Sequence, residues 1–410
     1  MRNLVHILLL LGLVLQSSCA NLQPNNAAAP QTVYANGRLT INNNLDNLNS
    51  QIKIKSTNLT IKPVMDEYPS LSVSPDDLTL TLVAEIAPPV INGKVLQANC
   101  IRLWADFAYV GYNCQGAEHL GAVDVIHLKN RLAPELRSRI IFNDTDINGI
   151  DGDNQHIYCA ESRDDVFGNS AQVEVINLNG GKIEEGDTHQ IPMISYAGTC
   201  AYNHQNALLF TSGNQGGLYA FDQQTYTQKS FINVDDARWI ESQGNTVAVI
   251  QGTPGRVSLF NFTGTTFQYQ KTYSFNGANV PEAKSNAQIV GDHIFIAAGR
   301  GGVQVHQLVS GTKVTDIPLP EASLDPDIVT NEVTIDGDLI FIANGGAGVY
   351  VAKANDDIED IALGSPMNFT MIGQLQLAGL GSVNHMVYDK NFLFVATGTG
   401  GFKVIQVTSK

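Results

Sequence analysis

Apolar and polar residues alternate along most of this chain in short runs. Each run ends in a small polar or glycine-rich turn, and a second alternating run follows. The clearest copies read IFIAAGRGGVQVHQL from Ile294, IFIANGGAGVYVAKA from Ile340 and LFVATGTGGFKVIQV from Leu393. Period-two alternation predicts strands, because successive side chains point to opposite faces of a sheet. The copies start about 46 to 53 residues apart, which is the spacing of a repeat architecture. Helical spacing of apolar residues is almost absent.

Each copy reads as four short strands. The first ends near Gly-Asp or Asp-Gly, as in Val333 to Asp338; the second is the apolar run; the third follows the glycine turn; a more polar strand closes the unit, as in Lys313 to Ile317. Earlier second strands fall at Phe107–Gly111, His156–Ala160, Ala207–Thr211 and Thr246–Ile250, giving about seven units. The expected fold is therefore all-β, a β-propeller of about seven four-stranded blades. The last unit contains only three strands before the chain ends. An N-terminal strand must complete it and seal the ring, and Pro89 to Leu96 lies just before the first complete unit.

The segments Gly301–Leu308, Gly348–Ala352 and Gly400–Val407, each after a strand of the pattern apolar-Tyr/Phe-apolar-Ala, resemble the LVIVD repeat of exported bacterial β-propellers. The resemblance covers roughly residues 97 to 410. It implies architecture and export, and no particular chemistry.

The N-terminus carries Arg2, an apolar stretch from Leu4 to Leu15, then Gln16-Ser17-Ser18-Cys19-Ala20. The stretch is too short to span a bilayer and reads as a secretory signal. Its end resembles a lipobox with Cys19 as the lipid anchor, and cleavage after Ala20 is the alternative. Residues 1–19 are thus read as signal and lipobox, 20–63 as tether and weak β-rich lead-in, 64–88 as β-rich lead-in and 89–410 as propeller. The expected location is the bacterial envelope, lipid-anchored at the outer membrane or else periplasmic, with membrane attachment through the lipid alone.

Charge narrows the partners. The formal net charge is −15, with no basic stripe, so nucleic acid is not an expected partner. Export permits disulfides among Cys100, Cys114, Cys159 and Cys200, and three pairings are open. No cofactor is expected. The nucleophile elbow, H-E-x-x-H and P-loop patterns are missing from the sequence.

Candidate chemistry sits where the copies differ. The turns between second and third strands are enlarged in the first two units, Tyr112–Gly121 and Glu161–Ser170, and hold Glu118, His119, Arg163, Asp164 and Asp165. On the same face, the starts of the first strands place Asn99, Asn148, Thr199, Arg238, Asn286, Asn331 with Glu332, and Asn384 with His385 around the channel, with Trp239 beside them. Such a ring can take a ligand or a column of ordered water. Asp144, Asp146 and Asn148 match the first half of a calcium loop, although Gln155 stands where a bidentate carboxylate belongs. The leading expectation is a non-catalytic binding or scaffold module recognising an envelope protein or glycan. The alternative is an envelope hydrolase or lyase acting on a carbohydrate or small molecule at the same face, with Glu118, His119, Arg163, Asp165, Arg238 or His385 supplying acid, base and anion-stabilising groups.

Overall fold

A computed structural model describes residues 32–33, 37–68, 70–74, 78–164, 170–205, 207–280, 283–320, 328–375, 377, 379 and 381–409. Seven four-stranded antiparallel blades form a propeller ring, and helix accounts for 3% of the structure. The innermost strands are Gln97–Trp104, Thr145–Gly152, Gly198–His204, Ala237–Gln243, Ala287–Val290, Glu332–Asp336 and His385–Asp389, belonging to blades 1 to 7 in that order. Among the described residues no helix is long and apolar enough to cross a membrane.

Alternation builds the core directly. Each gap between neighbouring blades holds one buried apolar cluster. In blade 6, Ile340 and Ile342 face the gap toward blade 5, while Phe341 and Ala343 face the gap toward blade 7. Both faces of the second strand are covered, which is why it reads as a continuous apolar run.

The repeated glycine turn has an equally local cause. Gly299, Gly345 and Gly398 have φ of 56°, 51° and 57°, and the glycines three residues on, Gly302, Gly348 and Gly401, have φ of 70°, 83° and 75°. Side chains rarely adopt this left-handed region. A Cβ on Gly401 would also stand 2.2 Å from the Ile86 carbonyl oxygen. The first glycine of each turn then bridges to the next blade, pairing Gly299 with Thr330, Gly345 with Val383 and Gly398 with Ala98.

Closure uses an N-terminal strand, but not the segment 89–96. Leu78–Ile86 pairs antiparallel with Phe402–Ser409 and is the outer strand of the seventh blade. Pro88 and Pro89 have no backbone N–H to give a ladder, and 90–95 folds instead into a two-stranded hairpin, Val90–Ile91 with Lys94–Val95. Nine alternating residues, LTLTLVAEI, supply the ladder.

The described lead-in wraps the outer edges of three blades. Leu39–Asn42 pairs with Glu135–Phe142 of blade 1. The short helix Leu45–Asn49, capped by the Asn44 side chain, leads to Ile52–Leu59, which lies on Leu78–Ile86. Ile61–Lys62 and Ser72–Val73 then pair with Phe369–Leu375 of blade 6. Cys19 and the signal lie outside the described residues. Cys100, Cys114, Cys159 and Cys200 are all buried free thiols. Burial pushes the Cys100 thiol up to about 11, so the thiolate is scarce.

Candidate functional site

The polar ring at the starts of the first strands is present, and its donors are already used. Asn99 Nδ2 donates to the Ile147 carbonyl of blade 2 at 2.9 Å, and Asn148 Nδ2 to Gly198 of blade 3 at 3.0 Å. Thr199 Oγ1 donates to Ala237 of blade 4 at 2.7 Å, Asn331 Nδ2 to Val383 of blade 7 at 3.2 Å, and Asn384 Nδ2 to Ala98 of blade 1 at 3.1 Å. In each case the acceptor belongs to the residue just before the next blade's ring residue. Asn384 and Gly398 thus converge on the same Ala98 carbonyl. These side chains are clasps between blades.

The other two ring positions do the same work differently. Asn286 donates to the Glu332 carboxyl. Arg238 is buried, with Nε 3.1 Å and Nη2 2.9 Å from the Asp236 carboxylate, and Nη1 donates to the carbonyls of Val280 and Ala283 at 2.9 and 2.8 Å. Gly252 leaves room for this guanidinium, since a Cβ there would lie 1.8 Å from it. Replacing Asn384 by Ala is expected to cost about 1–2 kcal/mol, as one buried carbonyl loses one of two donors. Urea unfolding should show a lower midpoint with an unchanged slope.

Side chains fill the axis behind the clasps. Lys284, on the loop before blade 5, reaches across to the Asn99 carbonyl of blade 1 at 2.7 Å. Trp239 of blade 4 donates to Ala287 at 2.9 Å, and its ring lies 5.6 Å from that of His385 on blade 7. His385 Nε2 stands 3.2 Å from Glu332 Oε2, and both side chains are buried. Further along, Arg102 pairs with Asp151 at 2.8 Å and lies over the Tyr202 ring.

Burial dominates the charges here. It raises Glu332 to about 8 and Glu241 to about 7, and it lowers His385 well below its ordinary range with help from the Lys284 and Arg102 charges. At neutral pH, Glu332 therefore holds its proton beside a neutral His385. Its unfolded carboxyl titrates near 4.5, so between 4.5 and 8 the native state binds more protons and stability falls as pH rises. Glu332→Gln imitates the protonated form. Thermal unfolding between pH 5 and 9 should show a flatter alkaline decline in the variant than in the wild type.

The enlarged turns of blades 1 and 2 are brought together. His119 Nδ1 lies 2.7 Å from Asp146 Oδ2, and Asp146 Oδ1 accepts from the Cys114 N–H at 2.7 Å, so a residue of blade 2 holds the blade 1 turn. Burial raises the Asp146 carboxyl, against the lowering effects of the Cys114 N–H and His119. His119 Nε2 is 3.9 Å from the exposed Asp164 carboxylate. Arg163 Nε contacts Asp144 at 2.9 Å and its Nη1 donates to Gln190 at 2.7 Å. Glu118 stands apart, exposed and paired with Lys94 at 2.8 Å. Asp165 lies outside the described residues.

No family model matches the chain, and no curated protein does. Among solved structures, the crystal structure of the computationally designed Ika8 protein is similar in chain path, with a TM-score of 0.48 and 10% identity over 86% of this chain and 100% of that one. That likeness carries no statement of family or function.

Asp144, Asp146 and Asn148 turn to separate partners. Thr145–Gly152 is a strand, Asp144 faces Arg38 and Arg163, Asp146 faces His119, and Asn148 clasps blade 3. Among the described residues no group of three or more His, Cys, Asp or Glu could hold a metal ion.

Sequence reasoning missed a charged cluster beneath the same turns. Arg38 comes from the lead-in and grips both oxygens of the buried Glu174, with Nε on Asp144 at 3.2 Å and its guanidinium over the Phe142 ring. Glu161 beside it is fully buried with neither oxygen hydrogen-bonded, and burial together with the Glu174 charge pushes its carboxyl well up. The four residues are distant in sequence, so no motif could announce them.

Proposed function

We propose that this chain is a non-catalytic binding or scaffold propeller displayed at a bacterial envelope membrane, a member of the LVIVD-repeat exported propellers. It recognises a protein or glycan through the polar face at the starts of the first strands. The observation that carries the reading is how the ring is spent. Clasps occupy the Asn and Thr donors, and Trp239, Lys284 and His385 fill the axis. Accessible chemistry on that face is left to the enlarged turns of blades 1 and 2, where His119 lies 2.7 Å from Asp146 and 3.9 Å from the exposed Asp164.

Three of the residues named for a hydrolase or lyase stand in separate environments. His385 sits in the axis, Arg238 in its clamp and Glu118 at the rim, which favours binding over catalysis. The test is capture from a bacterial envelope extract, using a chain that begins at Gly37. His119→Ala and Asp164→Ala should weaken retention of the partner several-fold, and the clasp variant Asn384→Ala should retain it. Equal retention by all variants sinks the proposed face.

A further inference from the structure

The lead-in covers the outer edges of three blades and presents one open edge of its own. Ile52–Leu59 is the outermost strand of the blade 7 sheet, paired on one side with Leu78–Ile86 and on the other with no strand among the described residues. Such a strand turns a row of N–H and C=O groups outward, where another chain can pair with them. Beside it, between blades 6 and 7, lies a cleft of about 670 Å³. Thr57, Asn58, Leu59 and Thr60 line this cleft in succession. A cavity against one face of a strand touches alternate residues, so this one borders the edge itself. Blade 6 and the loop leaving it supply the other wall, from the glycine turn at Gly346 and Ala347 and from Gln374, Leu375 and Leu377.

Charge sorts the partners for this edge. Glu85 pairs directly with Lys53 on one neighbouring strand and with Lys403 on the other, so the three side chains share one face of the sheet. Lys55 reaches the same carboxylate, with Nζ 2.7 Å from Glu85 Oε2, while Lys403 Nζ lies 2.9 Å from Oε1. Burial works to raise the Glu85 carboxyl, yet the two ammonium groups hold it below its ordinary range. One charged carboxylate thus answers three lysines, and Lys53 is exposed. A local surplus of positive charge on a chain of formal net charge −15 favours an acidic partner. The same lysines repel the equivalent edge of a second copy, which removes self-pairing as the use of this strand. Ile54, between Lys53 and Lys55, is 55% exposed, and a strand laid alongside would cover it.

We propose that an acidic polypeptide segment in extended form adds to Ile52–Leu59 as a further strand, with its carboxylates on Lys53 and Lys55 and an apolar side chain in the cleft. Main-chain pairing supplies the affinity, and the lysines and the cleft select the sequence. A small anion would use the lysines and leave the open edge and the cleft unfilled. The site is separate from the enlarged turns of blades 1 and 2, so either can fail while the other stands.

The test is fluorescence anisotropy with the purified chain and a labelled nine-residue peptide of alternating glutamate and valine. Wild type should bind this peptide, and Lys53→Glu should weaken binding at least about fivefold with an unchanged melting temperature. A peptide with lysine in place of every glutamate, or with proline at two adjacent inner positions, should bind at least about tenfold more weakly, because the first reverses the charge and the second removes ladder donors. Amide hydrogen exchange of the complex should show added protection within 52–59. No binding by wild type, full binding by Lys53→Glu, equal binding of the acidic and basic peptides, undiminished binding of the proline peptide, or protection gained only outside 52–59 overturns the proposal.

Discussion

A chain that begins at residue 89 is expected not to fold as a closed ring, whereas one that begins at Gly37 is expected to fold. The difference lies in Leu78–Ile86, the outer strand of blade 7. Its Leu80, Leu82, Val83 and Ile86 are buried. At about 1.5–3 kcal/mol for each large apolar side chain, their loss removes about 6–12 kcal/mol, comparable with the whole stability of a typical domain at about 5–15 kcal/mol. Lys403 adds to this. It is 1% exposed, and its Nζ donates to Glu85 on the missing strand at 2.9 Å, so truncation strands a buried cation. Far-ultraviolet circular dichroism and thermal melting of the two chains decide the matter. A cooperative transition in the chain starting at residue 89 would mean that another segment can seal the ring.

Arg139→Ala should be among the most damaging single substitutions in the chain, at about 3–5 kcal/mol. Arg139 Nε and Nη2 lie 2.5 and 2.7 Å from the two oxygens of Asp124, which also accepts from the Tyr112 hydroxyl at 2.8 Å. Asp124 is completely buried, so removing the guanidinium leaves a carboxylate without its counter-charge. Arg139 Nη1 also donates to Gln51 Oε1 at 2.5 Å, which ties the lead-in to blade 1. Replacing both partners with apolar residues, Arg139→Met with Asp124→Leu, should recover most of the loss, because the cost arises from the orphaned charge. Urea denaturation of the single and double variants measures both. A double variant as unstable as the single one would show that the pair itself, and not the stranded carboxylate, supplies the stability.

The blades were legible in the sequence because both faces of each second strand are buried and each glycine turn needs two left-handed residues at a fixed spacing. Gly299, Gly345 and Gly398 carry that signal in the last three blades. The lead-in was faint for the opposite reason. Ile52–Leu59 is an outermost strand with mostly exposed or half-buried positions, so its alternation is weak. Val90 to Leu96 alternates like a closing strand, but the two prolines before it outweigh that pattern, and Leu78–Ile86 closes the ring. Ring positions could be read from the repeat, but the direction of their amides could not. Only the packed ring shows that Asn99 or Asn384 reaches the neighbouring backbone. Arg38 with Glu174 is a contact between distant segments that leaves no periodic trace.

Amide hydrogen exchange of the chain with and without its captured envelope partner tests the binding face most directly. Protection should rise in 113–120 and in 161–164, at the turns of blades 1 and 2. Protection confined to the opposite turns, 128–134 and 308–312, would put the partner on the other side of the ring and end the proposal that the enlarged turns receive it.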